Sequence, residues 1–327
     1  MASSKKAIYA AILGNFAIAV TKFMGAAVSG SSAMLAEGIH SLVDTGNGGL
    51  LLLGIRRSQR PPDATHPYGY GKALYFYTLV VAILIFGLGG GFSFYEGLLH
   101  TLDPGHGGAT SATIFGITIG GLMLNTIVLS AAIVFEALAF RTAWQEFNKQ
   151  RGDTAFWDAV RTSKDPTTVT VLFEDSAAMA GLVVALVGVH LAHLLEMPIL
   201  DGIASMAIGL ILFAVAAFLA WESKKLLVGE AAHPDVQSDV RAIANEQPGV
   251  DALGRVLTLH MGPYSLVLNM EVNFTPDLTV AEITHTIDAL EAAVRKAHPE
   301  IKYIFVEVKS LSGRRKVADA SLEQDTR

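Results

Sequence analysis

Six stretches of this chain, at residues 8–28, 33–55, 73–99, 112–140, 167–191 and 202–221, are apolar over the roughly 20 residues of helix that cross about 30 Å of hydrocarbon. A backbone inside lipid must satisfy its own hydrogen bonds, as a helix or a closed barrel, and apolar runs of this length select helices. The charge distribution marks where this regime ends. The first 228 residues hold 14 Lys and Arg with 15 Asp and Glu, whereas the last 99 hold 10 and 15. Only the second part has the share of about a quarter charged residues that soluble domains carry. The expected organisation is a membrane domain of six transmembrane helices at residues 1–228, a small α+β domain at 229–311, and a disordered tail at 312–327.

Lys and Arg also set the orientation, because short loops rich in them stay in the cytoplasm. Lys5 and Lys6 precede the first stretch, and Arg56, Arg57, Arg60 and Lys72 lie between the second and third. Arg141, Lys149, Arg151, Arg161 and Lys164 lie between the fourth and fifth, and Lys224 and Lys225 follow the sixth. The other three connections contain none, so both termini are expected to be cytoplasmic. Seven residues precede the first stretch without a cleavage pattern, which reads as a retained helix that also serves as targeting signal. Having no cysteine, the chain excludes disulfides, thiolate zinc sites and thiol catalysis. The net charge of −6, carried mostly by the second part, argues against a nucleic-acid partner.

After Gly229 the pattern becomes αββαβ: a helix over 234–245, strands over 255–260 and 265–274, a second helix, and a strand over 303–308. In the second strand Leu266, Leu268, Met270, Val272 and Phe274 alternate with polar residues, as a half-buried strand requires. Thr279 and Glu282 form a capping box ahead of the apolar face Ile283, Ile287, Leu290 and Val294, and Pro299 ends that helix.

An ionisable group at mid-span costs about 2.5 to 3.5 kcal/mol on insertion scales, so each needs a partner or a task. In the second stretch Glu37, His40, Asp44 and Asn47 share a stripe about 80° wide at about 100° per residue. In the fifth, Glu174 and Asp175 are adjacent. Imidazole with carboxylates on facing helices is the donor set of a borderline divalent cation such as zinc. The bland alternative is that His40 and Asp44 merely pair with each other or their neighbours. Glu37 reads equally as a group solvated at the outer interface, and Lys22 as a snorkelling or ion-paired residue. Glu96 and Glu136 read as span-end groups, Asn125 as a helix–helix hydrogen-bonding group, and His190 and His193 as interfacial histidines.

The run SSAMLAEGIHSLVDTGNGGLLLLG at 31–54, followed by RPPDATHPYGYGK at 60–72, resembles the cation diffusion facilitator family. The resemblance continues through six spans, DGIASMAIG at 201–209 and the αββαβ domain, and so covers nearly the whole chain. SKDPTTVTVLFEDSAAMAGL at 163–182 and LTLHMGP at 257–263 are most similar to the branch of zinc transporter 9 and its bacterial relatives.

That resemblance implies a ferredoxin-like cytoplasmic domain and a homodimer in a bilayer, here a bacterial inner membrane. It implies no enzyme and no prosthetic group, but export of a divalent cation, zinc first, in exchange for protons by alternating access. The family draws two ligands from span two, matched by His40 and Asp44, and two from span five. Of the second pair Asp175 is present, while the position four before it is Val171, so Glu174 supplies the missing oxygen or a water completes the site. A further family site, in the loop after span two, is matched by Asp63 and His66 but has Tyr70 in its third place. The strand positions that hold metal in other cytoplasmic domains are mostly apolar here, such as Met270 and Val306, and His233, His260 and His285 stand isolated.

Three rival readings follow. Manganese, iron or another hard cation would suit carboxylates from span five. A membrane-anchored metal sensor or scaffold would need no polar stripe in two helices. An intramembrane hydrolase would need an activated nucleophile, and neither HExxH nor GxSxG occurs.

Overall fold

The structure, a computed structural model, describes residues 2–103, 111–114 and 117–309. The tail expected to be disordered at 312–327 lies outside the described residues. The chain divides into two compact units, one made of residues up to 61 with 72–227, the other of residues 62–71 with those from 228 onward.

The first unit is helical. α1 (Ala2–Ser29) and α2 (Ser32–Ser58) pack on each other across Gly30, whose φ of 68° suits a residue without Cβ and whose N–H closes the last turn of α1 on Ala26 O. The third membrane segment runs Ala73–Leu102 as α3 (Ala73–Leu84), a π-helical stretch Ile85–Gly91, and α4 (Phe92–Leu102). After it come a short antiparallel hairpin, β1 (Ser111–Ile114) and β2 (Ile117–Gly120), then α5 (Gly121–Arg151), α6 (Phe156–Thr162), α7 (Pro166–Leu194) and α8 (Ile199–Val228). Among the described residues, four segments are apolar and long enough to cross a membrane: Ala73–Leu102, α5, α7 and α8. The remaining two of the six are α1, apolar over Asn15–Ser29, and α2, which carries the polar stripe.

Two boundaries depart from expectation. The fourth span does not begin at 112, because β-branched Thr113, Ile114, Ile117, Thr118 and Ile119 favour extended backbone and helix starts only at Gly121. It also runs on to Arg151, so Arg141, Lys149 and Arg151 extend a helix rather than form a loop. Apolar residues from α1, α2, α3, α5, α7 and α8 form one core, while Phe76, Ile83, Met123, Ile127 and Leu210 are more than half exposed, as lipid-facing side chains are.

Small residues permit the closest helix approach. A Cβ on Gly97 of α4 would lie 2.6 Å from Gly202 O and Met206 N of α8, and one on Gly209 would lie 2.8 Å from Gly90 O. Backbones that close leave no room for a larger residue. At the start of α2, Asp201 of α8 accepts from Ser32 N at 2.6 Å, Ser32 Oγ at 3.1 Å and Ser31 Oγ at 2.7 Å. A carboxylate at a helix N-terminus complements both the free N–H groups and the dipole, and here it joins two helices distant in sequence.

The second unit keeps the expected αββαβ order: α9 (Pro234–Asn245), β3 (Val250–Gly262), β4 (Ser265–Phe274), α10 (Val280–Ala297) and β5 (Ile301–Lys309). β4 is central, antiparallel to β3 and parallel to β5, with α10 as the crossover a parallel pair needs. The five apolar β4 residues are buried against α9 and α10, and both halves of the Thr279–Glu282 capping box form. β3 begins earlier than residue 255, and its register shifts interrupt the alternation that marks a strand in sequence. The segment 62–71 belongs to this unit: Tyr68 meets Tyr303 edge-on at 5.1 Å, and a Cβ on Gly71 would fall on Met261 O.

Candidate metal transport site

α2 places Glu37, His40, Asp44 and Asn47 on the face turned toward α1 and α7. His40 is buried, and its Nδ1 lies 3.4 Å from Asp44 Oδ1 without the geometry of a hydrogen bond. Both imidazole nitrogens therefore lack a hydrogen-bonding partner among the described residues. A buried imidazole with two unused ring nitrogens is costly unless something else binds it.

From α7, Glu174 comes to this group directly. Its Oε1 accepts from Asn47 Nδ2 at 2.6 Å, and its carboxyl is in hydrogen-bond contact with that of Asp44. Asp175, about 100° round the same helix, is half-buried and faces Glu174 and Glu136 electrostatically. Val171, one turn before Asp175, packs against the apolar core. No three described His, Asp or Glu side chains converge into a closed metal-holding group, so the geometry joins His40, Asp44 and Glu174 in pairwise contacts, with Asp175 beside them.

α7 is built for this approach. Asp165 caps its first turn by accepting from Thr167 N at 3.0 Å, and Pro166 occupies N1. Two turns beyond Glu174, Gly181 meets the Glu37 carboxylate, which any Cβ there would displace.

One sequence reading is corrected. Glu37 is fully buried, not solvated at an interface: its Oε2 pairs with Lys22 Nζ of α1 at 3.0 Å, and Lys22 also donates to Ser41 Oγ at 2.8 Å. Lys22 is thus the ion-paired residue, not the snorkelling one. Glu136 of α5 lies within electrostatic range of Glu37, Asp44, Glu174 and Asp175. Its signal was present in the sequence, because Asn125, Leu129, Ala132 and Glu136 follow at helical spacing and the first three are buried.

The loop residues Asp63, His66 and Tyr70 belong to the second unit. Asp63 lies 3.6 Å from the His66 ring and accepts from Tyr70 Oη at 2.6 Å and from the backbone of Thr65 and His66. The Tyr70 hydrogen bond, then the backbone ones, hold the Asp63 carboxyl down at about 2. His233 accepts from Asp235 N at the start of α9, and His260 is buried beside Gly262 O. His190 contacts Thr126 Oγ1 at 3.2 Å.

The family model of the cation efflux transmembrane domain matches residues 8–228, and that of the cation efflux protein cytoplasmic domain matches residues 232–310. The chain belongs to the cation efflux, or cation diffusion facilitator, family. Its similarity to the proton-coupled zinc antiporter SLC30A9, mitochondrial, of Xenopus laevis is 30% identity over 88% of this chain and 56% of the relative. Metal tolerance protein C4 of Arabidopsis thaliana is 31% identical over 85% of this chain and 58% of its own length. The magnetosome protein MamM of Paramagnetospirillum magneticum is 27% identical over 86% and 80%. The chain thus spans little more than half the length of the first two. Among solved structures, a MamM cytoplasmic domain in its nickel form aligns at 23% identity with a TM-score of 0.23, over 24% of this chain and 98% of that one.

Proposed function

We propose that this protein exports a divalent metal cation, zinc first, across a bilayer in exchange for protons, as a homodimer and by alternating access. The observation that carries this reading is the contact of the Asp44 and Glu174 carboxyl groups beside an imidazole with no hydrogen-bonding partner. Two carboxyl groups in contact need a proton or a cation between them, so a site of this kind exchanges one for the other. Metal binding expels protons from such ligands and proton binding expels metal, which is antiport in chemical terms.

His40, Asp44 and Asp175 are the proposed ligands, with Glu174 as auxiliary ligand or proton acceptor. Glu136 adds negative potential, and Lys22 with Glu37 anchors α1 to α2 behind the site. The relatives named as zinc antiporters support zinc. The count of carboxylates supports manganese or iron as the second choice. The positive-inside distribution supports cytoplasmic termini, in a bacterial inner membrane on our reading.

Proteoliposomes holding the full chain, given a series of metals and an imposed pH gradient, test this. Zinc uptake should follow the gradient and move protons the opposite way. Equal uptake after the gradient is collapsed, with no pH change, would sink the antiport reading.

A further inference from the structure

Where the start of α7 meets the end of α8, a cavity with room for about one water molecule is lined by Thr170 of α7 and by Glu222 and Ser223 of α8, together with Val160, Ser163 and Leu219. The three polar residues are deeply buried, at 1% exposure for Thr170 and Ser223 and 7% for Glu222. Thr170 Oγ1, Ser223 Oγ and Glu222 Oε1 each lack a hydrogen-bonding partner among the described residues. Buried polar atoms in that condition cost about 1–3 kcal/mol each unless water or an ion joins them. Three around one water-sized space have the polar partners a bound water needs.

The cavity lies on a line that leads to the transport group. Thr167, Thr170 and Glu174 follow at spacings of three and four, on one face of α7, and Thr167 Oγ1 is likewise without a hydrogen-bonding partner among the described residues. Thr170 is one turn, about 6 Å, before Glu174. The Lys and Arg distribution puts this end of both helices on the cytoplasmic side.

The occupant follows from the donors. They are oxygens only, and the single carboxylate already pairs with Lys225, whose Nζ lies 3.0 Å from Glu222 Oε2. Zinc prefers nitrogen and sulfur donors with more charge than this. Glu222 is the one titratable side chain lining the cavity, and the next titratable group up this face of α7 is Glu174.

We propose that Thr167, Thr170, Ser223 and Glu222 form a hydrated proton relay between the Glu174 end of the transport site and the cytoplasm. A proton leaving the site passes to a water in the cavity, and that water gives one of its own protons to the Glu222 carboxylate. Glu222 then releases a proton to bulk water, so every group returns to its starting state. This rests on the antiport reading above and adds its cytoplasmic route.

The test uses the full chain in proteoliposomes with a pH dye inside. Wild type that moves no protons with zinc overturns the antiport reading itself. If wild type couples, Glu222→Gln and the pair Thr170→Val with Ser223→Ala should slow proton movement about fivefold or more and enlarge the solvent deuterium isotope effect. Equilibrium zinc binding should stay within about twofold, and Glu222→Asp should restore most of the rate. Variant rates and isotope effects equal to wild type overturn the relay. Hydroxyl-radical labelling of wild type in micelles gives a second readout that needs no variant. The peptide spanning 219–226 should be labelled despite its burial, because radicals form from water held beside it, and absence of labelling there also overturns the proposal.

Discussion

Lys22 Nζ on α1 and Glu37 Oε2 on α2 meet at 3.0 Å with both side chains almost fully buried, forming an ion pair three residues before His40. Removing one member of such a pair strands the other charge, at a cost of about 3–5 kcal/mol, whereas replacing both with apolar residues is often neutral. Lys22→Met should therefore lower the thermal stability of the detergent-solubilised protein sharply. Lys22→Met with Glu37→Met should recover much of it. Equal losses in the single and the double variant would show that the pair is not the source.

Transport should separate the carboxylates by role. Asp44→Ala and Asp175→Ala are expected to abolish zinc uptake while the dimer stays folded on size-exclusion chromatography. Glu136→Gln should reduce uptake about tenfold or more without a loss of folding, since it removes a carboxyl facing four others, Glu37, Asp44, Glu174 and Asp175. Normal uptake by Asp44→Ala or Asp175→Ala removes that residue from the site.

In the loop, the Tyr70 hydroxyl binds Asp63 at 2.6 Å and occupies one of its carboxylate oxygens. Hydrogen exchange of residues 62–71 in the full chain should then be unchanged by a chelator. Tyr70→Phe should speed that exchange severalfold, because the first cause of the depressed Asp63 carboxyl is lost. Slower exchange on adding zinc to wild type would instead reveal a metal there.

The cytoplasmic domain should show an acid-sensitive contact at Glu271. Hydrogen bonds from Arg255, then Lys309, hold its carboxyl at about 2. A folded-state value below the unfolded one means that the contribution is complete above about pH 4.5 and is lost as pH falls through about 2. Glu271→Gln should flatten the stability of residues 229–309 against pH in that window, followed by circular dichroism. The same slope in the variant would place the acid sensitivity elsewhere.

That domain has a core of its own, from Ala232 to Ile304, so it should fold alone and dimerise with little dependence on metal. A ligand stabilises only the state it binds, and its histidines are separated. Sedimentation with and without chelator checks this. A shift from dimer to monomer on chelation would point to His233, His260 and His285.

Local periodicity carried much of the architecture into the sequence. Six apolar runs, the alternation along Leu266 to Phe274 and the Thr279–Glu282 box each depend on residues within a turn or a strand of one another, so spacing alone specifies them. The α2 stripe was legible for the same reason. The hairpin before α5 and the bulges of β3 were not, since β-branched apolar residues suit a span and a strand alike, and bulges erase the period. Which of Glu174 and Asp175 meets Asp44 also lay beyond the sequence. Adjacent helical residues point about 100° apart, and the rotation of α7 that chooses between them is set by packing, such as Gly181 yielding room to the Glu37 carboxylate. The places of Lys22 and Glu136 were decided in the same way. A helix period tells which residues share a face, and only contact with the neighbouring helices decides what that face meets.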